Sequence, residues 1–402
     1  MKQWLTLLLA LLLPCAALAE DVHIEPVEDL PEDFLLGMDV SSVLALEASG
    51  VTYRDEDGTQ KDLFLILREH GVNAIRVRVW NDPYDSEGHG YGGGNCDIDT
   101  AVAIGQRATA QGMGLLVDFH YSDFWADPAK QMVPKAWTGM TLTQKADALY
   151  AYTCDSLTKL MHAGVDVTMV QIGNETNACF CGEGDWDSIC VLMNAGCRAV
   201  RDTCPGARIA LHFANPEQGN YLTWARELQR HQVDYDVFAS SYYPFWHGTL
   251  ENLQTVLSEI RQSYGKDVMV AETSYAYTLE DSDYSANSVS SDASCALPYP
   301  VTVQGQADAL ADVIRTVNAA GGIGVFYWEG AWITVGGASW AENHALWEKY
   351  GSGWASSHAG AYDPEDAGKY YGGSACDNQV LFAPDGHALP SLRTFLLIRQ
   401  GE

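Results

Sequence analysis

Val167-Thr168-Met169-Val170-Gln171-Ile172-Gly173-Asn174-Glu175 is a short apolar run, rich in branched side chains, that ends in an amide and a carboxylate. It has the length and composition of a buried strand. Seven more runs of this kind lie along the chain: Leu35 to Ser42, Ala74 to Trp80, Gly114 to Tyr121, Arg208 to Asn215, Val237 to Pro244, Asp267 to Ser274 and Gly322 to Glu329. Amphipathic segments separate most of them, among them Leu63 to Glu69, Ala101 to Gln111 and Asp308 to Ala319. Gly71, Gly112, Gly164 and Gly321 stand where helix C-caps are expected. Strand–helix alternation repeated eight times predicts a parallel sheet, and eight strands close a barrel. An open doubly wound sheet is the other arrangement, but no Gly-rich dinucleotide fingerprint follows the first strand. The expected fold is therefore α/β, a (β/α)8 TIM barrel over residues 20–402, in one domain.

The connections are unequal. Asn81 to Asp99, Ser122 to Met140, Ser274 to Val303 and Ala331 to Ala375 are long, and all four follow the C-terminal ends of strands. Barrel enzymes build their active sites at that face. Polar residues gather there too: Asp118-Phe119-His120-Tyr121, Gly173-Asn174-Glu175, His212, Ser241-Tyr242-Tyr243-Pro244, Ala271-Glu272-Thr273 and Tyr327-Trp328-Glu329. A polar group inside a barrel costs free energy unless it is paired. Six strands ending in hydrogen-bonding groups predict one site.

The N-terminus has another character. Lys2, the apolar run Leu5 to Leu13 and the small-residue pattern Ala17-Leu18-Ala19 make residues 1–19 an expected secretory signal peptide. The run is shorter than the roughly 20 residues a membrane span needs. The mature protein is expected outside the cell and not in a membrane. With 23 basic against 53 acidic residues the formal charge is −30. That field repels nucleic acid, anionic membranes and polyanionic polymers, and favours a neutral or cationic substrate. Ten cysteines less Cys15 of the leader leave nine, so at least one thiol lacks an intramolecular partner. Cys190, Cys197 and Cys204 recur every seven residues, near one helical face, as buried thiols or a local disulfide. The cluster from Cys179 to Cys204 lacks the paired Cys-x2-Cys units of a zinc site.

Glu175 and Glu272 end the fourth and seventh strands, on opposite sides of the barrel mouth. Two such carboxyl groups are what glycoside cleavage requires, flanking an oxocarbenium-like centre. The frames in which they stand carry a resemblance. Asn174-Glu175 and a seventh-strand Glu272 resemble the clan A glycoside hydrolases. Gly37-Met38-Asp39-Val40-Ser41-Ser42, Arg76-Val77-Arg78-Val79-Trp80, Asp118 to Pro128 and Gln171 to Glu175 narrow it. With Ser241 to Trp246, Val270 to Tyr275 and Gly324 to Glu329, they resemble glycoside hydrolase family 53, the endo-β-1,4-galactanases. The matches run in order over nearly the whole mature chain.

The resemblance implies endo-cleavage of β-1,4-galactan with retention, in pectin side chains of the type I arabinogalactan kind. It implies Glu175 as acid/base and Glu272 as nucleophile, with no cofactor for the chemistry. Arg78 is the expected cation beside Glu272; strand periodicity puts Arg76 on the same face, so Arg76 is the alternative, and either can pair with Asp118. Asn174 is expected to hold the substrate 2-hydroxyl. Tyr243, or else Tyr242, is the expected hydrogen-bond partner of Glu272. Asp118, His120 and His212 complete the polar set. Trp328 is the expected sugar platform beside the cleaved bond, while Trp125 and Trp332 suit packing and binding equally. In the loop after the seventh strand, Asp283 and Asn287 match a calcium site of bacterial family members, with Ser374 and Asp377 to complete it. Ser285 departs from that pattern, where the family has His. Three other readings stand beside this one: a non-catalytic carbohydrate-binding barrel, a metal hydrolase using Asp118, His120 and His212, and a clan A relative acting on mannan, xylan or cellulose.

Overall fold

The computed structural model describes residues 21–291, 295–337 and 339–400; the expected signal peptide lies outside them. Eight strands close into a barrel in chain order, every neighbouring pair parallel. They are β1 (Leu35–Asp39), β2 (Ala74–Val79), β3 (Gly114–Phe119), β4 (Val167–Ile172), β5 (Arg208–Ala214), β6 (Val237–Ser241), β7 (Asp267–Thr273) and β8 (Gly324–Tyr327). This is the (β/α)8 architecture expected from the sequence. Each strand lies inside the run read for it and stops one to three residues before the expected end. The cause is local in several cases. Tyr121, Glu175, Asn215 and Glu329 have φ of 50°, 47°, 65° and 44°. A left-handed residue cannot continue a strand, and for side chains other than glycine it costs free energy. The chain therefore bends away where the sequence puts its polar groups.

The helices start and stop where their signals stand. Asp62, Asp97 and Thr302 accept from backbone amides to cap the helices Leu63–Glu69, Ile98–Ala110 and Val303–Ala319. The four predicted C-terminal glycines all have positive φ, between 71° and 94°.

Inside the barrel, alternate residues of each strand point to the axis. The lower layer is apolar, with Ala74, Leu116, Met169, Ala210, Ala239, Met269 and Phe326. Gly37 leaves room for the Phe326 ring, since a Cβ there would stand 2.2 Å from it. Two residues higher, the same alternation brings in Arg76, Asp118, Gln171 and His212, all buried.

β7 breaks the count. Met269 and Ala271 face the barrel axis, and Val270 packs in the outer core. Simple alternation would therefore send Glu272 outward. The register of β7 slips against β6 between Ser240 and Ser241, and against β8 between Val270 and Thr273. Such an irregularity re-aims a side chain. Glu272 turns into the mouth.

The long post-strand connections lie over this end. The one after β8 carries the helix Trp340–Tyr350, the 3-10 turn Ser357–Ala361 and the short helix Ala367–Tyr370. Each of the nine cysteines among the described residues is a free thiol. No helix of the described residues is long and apolar enough to cross a membrane.

Candidate active site

A cleft of about 430 Å³ opens at the C-terminal ends of the strands, with Glu175 and Glu272 both in its wall. Glu272 is buried and held from two sides. Arg76 Nη2 lies 2.8 Å from Oε1, and the Tyr243 hydroxyl donates to Oε2 at 2.9 Å. Tyr242 turns away and donates to the Gly248 carbonyl. Of the two tyrosines left open by the sequence, Tyr243 is the partner.

Arg76 is also the hub of the buried layer below. It donates to Asp39 at 2.9 Å, Asp118 at 2.8 Å and Asn174 Oδ1 at 3.0 Å. A buried cation must be surrounded in this way to offset its desolvation. The expectation that Arg78 supplies the cation beside Glu272 is therefore corrected. Arg78 sits one step higher, where the carboxylate of Glu329 at the end of β8 pairs with it. It also donates to the Gly93 carbonyl at 2.5 Å and lies 4.2 Å from the centre of the Trp125 ring. Its two terminal nitrogens are engaged by Glu329 and Gly93 and not by Glu272, although the side chain still lines the cleft.

The other predicted polar residues support these groups. His120 Nε2 lies 3.0 Å from Asp118, and its Nδ1 accepts from Trp80 Nε1 at 3.1 Å and the Ala126 amide at 3.2 Å. Gln171 Nε2 donates to His212 Nδ1 at 3.1 Å, and His212 Nε2 lies 2.9 Å from the Ser241 hydroxyl. Both imidazoles are thus engaged by protein groups, which leaves the metal-hydrolase reading with Asp118, His120 and His212 unsupported. Asn174 Nδ2 donates to the Ala126 carbonyl at 2.9 Å, yet Asn174 still borders the cleft.

The two glutamates differ electrostatically. Burial holds the Glu175 carboxyl well above the ordinary range, and the neighbouring Glu272 charge raises it further; a hydrogen bond from Ser241 opposes both. Burial raises Glu272 as well, and the charges of Asp118 and Asp39 add to the rise; Arg76 and Tyr243 oppose it without cancelling it. Both carboxyls are raised, Glu175 the more strongly, and Glu272 is the one that a guanidinium and a phenol hold.

Trp125, Trp328 and Trp332 all line the cleft. Trp125 and Trp332 stack at 6.1 Å with an 18° interplanar angle, and Trp332 is buried. Trp246, half exposed, and Trp354 join them from the loops after β6 and β8. Neither was predicted as a site residue. Their loops are aromatic-rich, but nothing in the local sequence says which ring faces inward.

The acidic loop after β7 forms a second polar centre. Carboxylate oxygens of Asp281, Asp283 and Asp377 lie within 4.8 Å of one another, and Asp283 and Asp377 are buried. Asn287 Oδ1 and Asp377 Oδ1 are buried without a hydrogen-bond donor. Backbone amides of Ser285 and Ser374 each donate to Asp283 at 2.7 Å. Orphaned oxygens beside clustered carboxylates are the donor set a hard cation takes. The predicted Asp283, Asn287, Ser374 and Asp377 come together here, and Asp281 is an addition.

A parallel barrel with two glutamates lining one cleft at its mouth defines a glycoside hydrolase of the barrel class. The model of glycosyl hydrolase family 53 matches residues 35–395. The endo-β-1,4-galactanase of Bacillus subtilis (strain 168) is 57% identical over 387 residues, covering 95% of this chain and 90% of that one. An arabinogalactan endo-β-1,4-galactanase of Cellvibrio japonicus (strain Ueda107) is 36% identical over 339 residues, covering 81% and 85%. Among solved structures, the GH53 catalytic domain of Ignisphaera aggregans superposes with a TM-score of 0.83 at 37% identity, covering 94% of this chain and 100% of that one. The chain belongs to glycosyl hydrolase family 53.

Proposed function

We propose that the protein is a secreted endo-acting hydrolase of β-1,4-galactosidic bonds, in galactan and in the type I arabinogalactan side chains of pectin. The observation that carries this reading is the unlike setting of Glu175 and Glu272 in one cleft, in a chain whose relatives are named galactanases. Glu272, oriented by Arg76 and Tyr243, attacks the anomeric carbon. Glu175 gives its proton to the departing glycosidic oxygen. Once Glu272 is esterified its charge is gone, so the pKa of Glu175 falls and it can take a proton from the attacking water. Water's oxygen ends on the sugar, and Glu272 is released with its charge restored. Asn174 faces the substrate 2-hydroxyl. Trp328 offers a sugar platform beside the cleaved bond, and Trp125 extends the aromatic wall. A neutral polymer suits a chain of net charge −30, which disfavours nucleic acid and polyanions.

The chemistry needs no cofactor. A Ca²⁺ ion held by Asp281, Asp283, Asn287 and Asp377, with Ser374 alongside, would tie the loop after β7 to the one after β8. Secretion is supported by the apolar run Leu5 to Leu13 and the cleavage pattern at Ala17-Leu18-Ala19.

Two measurements test the reading. Reducing ends should appear with β-1,4-galactan and at most weakly with mannan, xylan or cellulose; preference for one of those polymers would overturn the substrate. Glu272→Ala should lose hydrolysis but keep galactan binding, and azide should restore turnover as an α-galactosyl azide. A β-azide product would reverse the assignment of the nucleophile.

A further inference from the structure

Apart from the two centres described above, a third cluster of ligating side chains joins two loops. The loop after β2 makes a small hairpin, bridged between Tyr84 and Gly90, with its turn over residues 85–89. Asp85 Oδ1 accepts from the amides of Glu87 and His89 at 2.9 and 2.8 Å, which fixes the carboxylate and leaves Oδ2 to the histidines. His89 Nδ1 lies 2.9 Å from Oδ2. His358, more than 260 residues later on the turn Ser357–Ala361, brings its own Nδ1 to 3.3 Å from the same oxygen. The two imidazoles stack at 4.2 Å with a 16° angle between planes, so a shared ion requires one ring to turn out of the stack. One ligand atom from each of Asp85, His89 and His358 lies within 4.8 Å of the other two.

The support behind His358 is also ordered. Its Nε2 lies 3.7 Å from Glu348 Oε2, and Glu348 accepts from the Ser357 amide and hydroxyl at 2.6 and 2.7 Å. At 3.7 Å this carboxylate is near His358 Nε2 but not hydrogen-bonded to it; a small rotation of the ring would bring it to the orienting contact that metal-ligating histidines make.

We infer that Asp85, His89 and His358 bind a divalent transition-metal ion of the Zn²⁺ type, which clamps the loop after β2 to the loop after β8. Two imidazole nitrogens and one carboxylate oxygen favour Zn²⁺ over Ca²⁺ or Mg²⁺, which prefer all-oxygen sets. Three protein ligands leave a coordination position for water. The clamp would act where the backbones are already paired: the Ser356 amide donates to the Tyr91 carbonyl at 2.8 Å and the Gly93 amide to the Gly353 carbonyl at 2.7 Å. Trp354, in the cleft wall, stands between these two bonds. Loss of the metal would therefore loosen the support of that ring without touching Glu175 or Glu272.

The test is titration of Zn²⁺ alone into the Ca²⁺-saturated full-length protein, followed by calorimetry and by thermal melting. The expected result is one saturable equivalent, with the midpoint rising about 3 °C at a hundredfold excess over Kd. His89→Ala and His358→Ala, both at partly exposed positions, should each abolish the binding and the shift. No saturable binding would overturn the inference, and so would binding that survives in either variant.

Discussion

Arg76 and Arg78 are two residues apart on β2 and point the same way, yet they serve different neighbours. Arg76 is encircled by Asp39, Asp118 and Glu272, so its charge is shared between the buried layer and the cleft. Arg78 faces Glu329, a carboxyl pushed up to about 7 by burial and held from rising further by Arg78 itself. Removing one member of such a pair leaves a buried charge alone, which costs about 3–5 kcal/mol. Glu329→Gln, which strands the Arg78 guanidinium, should therefore lower unfolding stability by that amount. Arg78→Met should cost less, because Glu329, already raised to about 7, can take up a proton and shed its charge. Urea unfolding of both variants checks this, and equal losses would sink the pairing argument. Periodicity alone made both arginines inward-facing. It could not choose between them, because the choice depends on how high β8 places Glu329, a relation between distant strands.

At the level of elements, the eight strands, their order and the loaded loops were legible because each has a local cause: apolar runs, helix caps and glycines at C-termini. The irregularity in β7 was not. It exists in the pairing of three strands, and no residue from Val268 to Glu272 announces it. Glu272 was found in the sequence by its place at a strand end, while strict alternation would have turned it outward. The loop after β7 shows the same division. Asp283, Asn287, Ser374 and Asp377 could be matched by position, but the contact of Asp281 with them depends on how the loop folds. There the chemistry is pH-dependent. Burial and the charge of Asp377 push Asp283 up to about 8. An acid raised in the folded state contributes stability that is whole below its unfolded pKa, about 4, and is lost as pH rises through its folded value. Chelated protein should therefore melt several degrees lower at pH 8 than at pH 4–5 on this account, and saturating Ca²⁺ should remove the difference. Melting curves that coincide with and without Ca²⁺ at pH 8 would remove the ion from the loop.

Over the whole molecule, the excess of acidic residues and the free thiols set the conditions of use. Burial pushes Cys96, Cys181 and Cys190 up to about 12, so none of these is a thiolate at neutral pH. Among the described residues the frame is held by the closed sheet and its helices, with no covalent bridge. Dithiothreitol should therefore leave the melting midpoint unchanged within about 1 °C, whereas loss of even one native bridge typically costs about 2–5 kcal/mol. A clear fall would reveal a pairing among the nine thiols. The consequence reaches back to synthesis. A fold whose described thiols are all free asks nothing of thiol oxidases or isomerases. It should reach the same active state in a reducing cytoplasm as beyond the cell envelope, so its yield in a production host would depend on export and solubility and not on redox catalysts.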